Sequence, residues 1–141
     1  MIPAKFNVTV LYDNLFKGHT GLESVVIPDT VTNIGGFVFD GCENLKELSL
    51  PPALTDMWQY ALARCGIETI EIPEGVSSIL PFTFNECRSL KEVTINSGTK
   101  RICAWAFKDC TALKNVYLKG KVEDISVKAF EGCKGVSVHQ L

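Results

Sequence analysis

The chain is poor in histidine, in net charge and in long apolar runs, and each shortage closes off a class of function. His19 and His139 are the only histidines in 141 residues. They fall at opposite ends of the repeat array described below, roughly 24 Å apart along it, so they cannot share a site. No serine or cysteine is accompanied by a recognisable base and orienting partner, and neither a P-loop nor a dinucleotide fingerprint is present. Neither an enzyme nor a cofactor is expected. Against 16 Asp and Glu stand 14 Lys and Arg, a net charge of −2. That gives no basic footprint for nucleic acid or an anionic membrane. No apolar run approaches the roughly 18 residues of a membrane span. The start, Met1-Ile2-Pro3-Ala4-Lys5-Phe6-Asn7, lacks the basic and apolar regions of a secretory signal. The first segment enters in mid-repeat and the last, Val136 to Leu141, stops as a strand falls due, so the expectation is one domain over 1–141, excised from a longer protein.

What the chain has instead is repetition. Cys42, Cys65, Cys87, Cys110 and Cys133 are separated by 23, 22, 23 and 23 residues. The short step comes from one residue missing after Cys65, where Gly66-Ile67 replaces the spacing of Cys42-Glu43-Asn44-Leu45. Units of about this length run 1–19, 20–42, 43–65, 66–87, 88–110 and 111–133, with a partial unit at 134–141. A unit this small cannot bury its own apolar face, so neighbours must supply the other half of the core.

Within each unit, L-x-x-L-x-L runs such as Leu45 to Leu50 alternate with period two, as a short half-buried strand does. Pro28, Pro51 and Pro73 stop the strand; Asn96 and Lys119 stand where the proline would be. An apolar pair such as Val76 and Ile79 returns the chain on the opposite side, and a turn of helical or 3₁₀ type carrying Phe, as in Ala106-Phe107-Lys108-Asp109-Cys110, closes the coil. Stacking coils about 4.8 Å apart makes leucine, phenylalanine and cysteine ladders. Five of the six cysteines hold one repeat position, as small buried hydrophobes do, so free buried thiols are expected; Cys103 lies off the ladder and should be more exposed. His19 and Cys42 share a ladder and both can bind zinc, but C-x-x-C spacing and a second pair are missing, so no metal site is expected.

The Ala-Phe-x-x-Cys turn, the L-x-x-L-x-L-Pro strand and the V-x-x-I return resemble the leucine-rich repeat family, in particular its BspA-like, or Treponema-type, branch. The resemblance implies a leucine-rich-repeat solenoid of five to six coils, with short parallel strands on one face and turns or short helices on the other. It also implies a bacterial cell-surface or secreted protein that adheres to host or neighbouring-cell proteins. A structural spacer or self-assembling module, pairing end to end or through an exposed stripe, is the alternative.

Two surfaces are candidates for binding. One strand-face column reads Ser24, Glu47, Thr69, Glu92, Asn115 and the next Val26, Ser49, Glu71, Thr94, Tyr117, Gln140, so Glu47, Glu71, Glu92 and Tyr117 are the candidate contacts there. A flanking column reads Glu23, Lys46, Glu68, Lys91, Lys114, whose alternating signs favour the parallel register. Two residues before the phenylalanine ladder stand Phe37, Tyr60, Phe82 and Trp105, with Trp58 and Leu80 nearby. This second surface is either a partly exposed apolar stripe roughly 14 Å long, of the kind that marks interaction sites, or a set of rings that cover the turns for stability.

Overall fold

A computed structural model of the chain describes residues 7–141. Its strands are all parallel. On the return side lie β1 (Val10–Leu11), β2 (Asn33–Ile34), β3 (Asp56–Met57), β5 (Ser78–Ile79), β7 (Arg101–Ile102) and β9 (Asp124–Ile125); on the other face lie β4 (Thr69–Ile72), β6 (Glu92–Ile95), β8 (Asn115–Leu118) and β10 (Ser137–Gln140). They pair as β1-β2-β3, β5-β7-β9 and β10-β8-β6-β4. The chain is a parallel β-solenoid with one rung per repeat.

The ladders form the core. Leu45, Ile67, Leu90 and Leu113 are fully buried on successive coils, as are Phe39, Leu62, Phe84 and Phe107. Rings on that second ladder stack directly, with centroids 5.0 Å apart for Phe84 and Phe107 and 5.4 Å for Phe107 and Phe130. Each such side chain contributes roughly 1.5–3 kcal/mol by burial. The cysteines are free; Cys42, Cys65, Cys87 and Cys110 are buried, and Cys103 and Cys133 half-buried. Each ladder thiol donates to a carbonyl of the preceding coil, from Cys42 Sγ to Phe16 O at 3.2 Å through Cys133 Sγ to Phe107 O at 3.1 Å. The position therefore needs a small apolar group that can also serve a buried carbonyl.

The ridge opposite the strand face departs from the expected helical option: among the described residues it contains no helix. In the coil around Tyr60, Ala61 and Ala63 donate to Trp58 and Tyr60 of their own turn, while Leu62 and Arg64 donate to Thr83 and Asn85 of the next coil. A helix would turn every N–H along one axis; here alternate peptides face their neighbours. That alternation goes with left-handed backbone at two positions in each of five coils and at Gly132 alone in the sixth. One column is Asn14, Phe37, Tyr60, Phe82 and Trp105, with φ between 62 and 66°; the other runs Gly18, Gly41, Arg64, Glu86, Asp109 and Gly132. Glycine adopts this conformation freely, whereas a bulky residue gives up about 1–2 kcal/mol. Four aromatic residues in the first column accept that cost.

The coil shortened after Cys65 leaves a seam. No strand pairing joins β3 to β5, and none joins Glu47–Leu50 to β4, among the described residues. The ridge does not break there, because the Leu62 and Arg64 N–H bonds span the junction. Gly66 fits because it has no Cβ, which would sit 2.2 Å from the Glu43 carbonyl oxygen.

Candidate binding surfaces

On the strand face, β4, β6 and β8 pair in register, Thr69 beside Glu92 beside Asn115 and Glu71 beside Thr94 beside Tyr117. The expected columns therefore hold through β8. At β10 they do not: Val138 pairs with Val116 and His139 with Tyr117. The last loop is one residue tighter than the period, and a one-residue slip exchanges the faces of every side chain. His139, not Gln140, thus joins the strand-face column, with its ring 5.1 Å from that of Tyr117. No repeat arithmetic reveals this, since the period is what fails.

The polar groups of this half hold one another. Tyr117 donates its hydroxyl to Glu92 Oε2 at 3.1 Å, and that bond raises the Tyr117 phenol above its ordinary value. His139 Nε2 meets Asn115 Oδ1 at 2.9 Å. Glu71 Oε1 receives Asn96 Nδ2 at 3.4 Å and Lys119 Nζ at 3.5 Å. Thr69, Glu71, Glu92, Thr94, Tyr117 and Lys119, with the apolar Ile70 and Leu141, line an open cup of about 360 Å³. Glu47 lies apart from this group. It borders a separate trough of about 440 Å³ with Ser24, Val26, Leu48 and Pro51, and on the strand face its coil is paired only by the single bridge between Ser24 and Glu47. In the flanking column Lys91 Nζ and Glu68 Oε1 pair at 3.1 Å, an exposed contact worth about 0.2–1 kcal/mol.

The aromatic stripe is brought together in full. Phe37, Tyr60, Phe82 and Trp105 are all half-buried, with centroid spacings of 4.7, 5.0 and 5.6 Å and planes within 13° of parallel. Lys17 Nζ lies 4.7 Å from the Phe37 centroid at one end and Lys128 Nζ 5.7 Å from that of Trp105 at the other. The interior ring faces are therefore occupied by other rings and the two end faces by cations, which leaves edges toward solvent. Trp58, 49% exposed, stands beside the column with its indole N–H on Asn33 Oδ1 at 2.8 Å. Nearby, the guanidinium of Arg64 reaches back one coil to Asp40, with both bonds at 2.9 Å. Asp40 is only 3% exposed, and its hydrogen bond and charge hold the Arg64 guanidinium above its usual range.

Stacked parallel rungs with this turn are decisive when set beside the repeat itself: the BspA type leucine rich repeat region matches in six copies over residues 9–137. The chain belongs to the BspA-type leucine-rich repeat family. Its fold is similar to that of the leucine rich repeat protein of T. pallidum, with a TM-score of 0.75 and 26% identity over 94% of this chain and 67% of that one. A leucine-rich repeat protein from Bacteroides ovatus shares 25% identity at a TM-score of 0.54, over 79% of this chain and 43% of its own. A leucine rich cell surface protein from Faecalibacterium prausnitzii, at 20% identity and a TM-score of 0.50, shares the fold; the chain spans 51% of its length. No curated protein matches the chain. BspA-type repeats are generally protein-interaction modules, and none of the helix-free coils described contains a helix long and apolar enough to cross a membrane.

Proposed function

We propose that this BspA-type array is a non-enzymatic protein-binding module of a bacterial cell-surface or secreted, adhesin-like protein, and that it binds a host or neighbouring-cell protein through the C-terminal half of its strand face. The observation that supports this reading is the fixed network of Glu71, Glu92, Tyr117, His139, Asn96 and Lys119. Here Tyr117, Asn96 and His139 meet Glu92, Glu71 and Asn115 of the preceding coil and Lys119 meets Glu71 two coils back, and such preorganisation lowers the entropic cost of binding. Cell-surface placement rests on the family and on the Faecalibacterium prausnitzii relative. The test is binding to a panel of purified matrix and cell-surface proteins, read by biolayer interferometry. Glu71→Lys with Glu92→Lys should abolish binding to any hit while the circular dichroism spectrum stays unchanged. Retained binding in that variant sinks the strand-face assignment.

The second reading, a self-assembling spacer, draws on the stripe of Phe37, Tyr60, Phe82 and Trp105. Exposed aromatic edges beside Trp58 make a narrow apolar ridge that another copy of the chain could cover. In that case light scattering shows a mass that rises with concentration, and Tyr60→Ala with Trp105→Ala returns it to the monomer.

A further inference from the structure

The cup on the strand face has a composition that selects among ligand chemistries. Its floor is a chequerboard set by the strand register, with Thr69 beside Glu92 and Glu71 beside Thr94. The two threonine hydroxyls have no protein partner among the described residues, while Glu71 and Glu92 each already receive a donor, from Lys119 and Asn96 and from Tyr117. An additional cation at Glu71 would meet the Lys119 ammonium 3.5 Å from the same oxygen. An anion would face two carboxylates. What these groups can still accept is a neutral molecule rich in hydroxyls: carboxylate oxygens keep free lone pairs for hydroxyl donors, and threonine hydroxyls both give and receive. Tyr117, fixed by Glu92 and backed by the His139 ring, supplies an aromatic wall for the C–H groups of such a ligand. The volume of about 360 Å³ is at the low end of small-molecule clefts.

We propose that this cup binds a neutral hexopyranose unit of an oligosaccharide, through Thr69, Glu71, Glu92 and Thr94 with Tyr117 as the wall. The proposal rests on reading the strand face as the binding surface, and adds that the recognised feature there is a sugar. The rigid parallel ladder places the four polar groups before the ligand arrives, so weak individual hydrogen bonds, each worth about 0.5–1.5 kcal/mol net, act together.

The test is a titration of isotope-labelled protein with cellohexaose, chitohexaose and mannohexaose, followed by backbone amide shifts. At least one should move Thr69, Glu71, Glu92, Thr94 and Tyr117 at millimolar concentration, with affinity falling about tenfold or more in Glu71→Ala and in Tyr117→Ala. Both substitutions are at the surface and leave the ladders intact. Silence from all three oligosaccharides overturns the proposal, as do shifts confined to other residues. Trilysine serves as the comparison ligand. If it moves the cup residues and the sugars do not, the sugar assignment falls while the strand face stands as a protein-binding surface.

Discussion

Coils on the two sides of the seam carry the same apolar ladders and differ in how their backbones are joined. On the C-terminal side, the residues after β6, β8 and β10 donate to the coil before: Asn96 to Ile72, Lys119 to Ile95 and Leu141 to Leu118, at 3.2, 2.9 and 2.9 Å. On the N-terminal side the corresponding positions are Pro28 and Pro51, and at the seam itself Pro73 ends β4; none has an N–H to give, and the strand face before the seam is reduced to the bridge between Ser24 and Glu47. On the strand face, then, burial and the bonds of the ridge and return side stack the coils without a full ladder, and the ladder is complete where the residue after the strand is a backbone donor. The side with the sheet is also the side with the fixed polar network, which is what a binding surface needs.

The comparison breaks most readily on the N-terminal side, where the half-exposed Arg64 covers the buried Asp40. Arg64→Ala leaves Asp40 unpaired in a site that is almost closed to water, a change expected to lower stability by about 3 kcal/mol, and urea unfolding measures it. A loss under 1 kcal/mol would mean that the half-exposed Arg64 side chain is not what holds these coils together. Removing both partners should restore part of the loss, since the uncompensated charge is then gone.

Exchanging the strand-end residues sharpens the comparison directly. Asn96→Pro removes the backbone bond to Ile72 and the side-chain bond from Asn96 Nδ2 to the same oxygen at 2.9 Å, for a cost of about 1–3 kcal/mol and faster amide exchange in β4 and β6. The reciprocal Pro73→Asn supplies the missing donor and should stabilise by about 1 kcal/mol with new protection at residue 73. Should both substitutions leave exchange unchanged, the short coil after Cys65 and not the proline makes the seam.

The smallest effect concerns the thiols. Burial raises the Cys42, Cys65 and Cys103 thiols above their ordinary value. A thiol that keeps its proton longer in the folded chain contributes stability that is full below its unfolded value and lost as pH rises through the folded one, so stability should decline in alkaline buffer above the usual thiol range. At neutral pH, iodoacetamide followed by mass spectrometry should find Cys103 and Cys133 modified first and Cys42, Cys65, Cys87 and Cys110 only on unfolding. Rapid native modification of Cys65 or Cys87 contradicts the packed ladder.

The ladders were legible in the sequence because burial repeats with the period: Leu45 to Leu113, Phe39 to Phe107 and the cysteines sit where spacing places them. The stacked column from Phe37 to Trp105 was legible as a column, and its half-burial follows. Its left-handed backbone was not, because aromatic residues do not signal that conformation and only Asn14 and the glycines at 18, 41 and 132 hint at it. The same omission left turns and short helices as equal options for the ridge, where the structure has turns. The seam and the His139 slip lay beyond reach for another reason. Each arises from a single residue lost from the period, and such a loss moves a whole rung against its neighbour. Asn96 and Lys119, which looked like defects in the strand-ending pattern, turned out to complete the ladder.

The seam also bears on how the array carries tension. Pulled along its axis, a solenoid loads its intercoil junctions in series, so every junction feels the same force and the one with the fewest backbone bonds yields first. Between the coil ending at Cys65 and the next, both strand ladders are absent, and the ridge bonds, the Tyr60–Phe82 ring contact and the core side chains bear the load. Under stretch the molecule would open there as two intact blocks before either block unravels, much as a zip parts at its missing tooth.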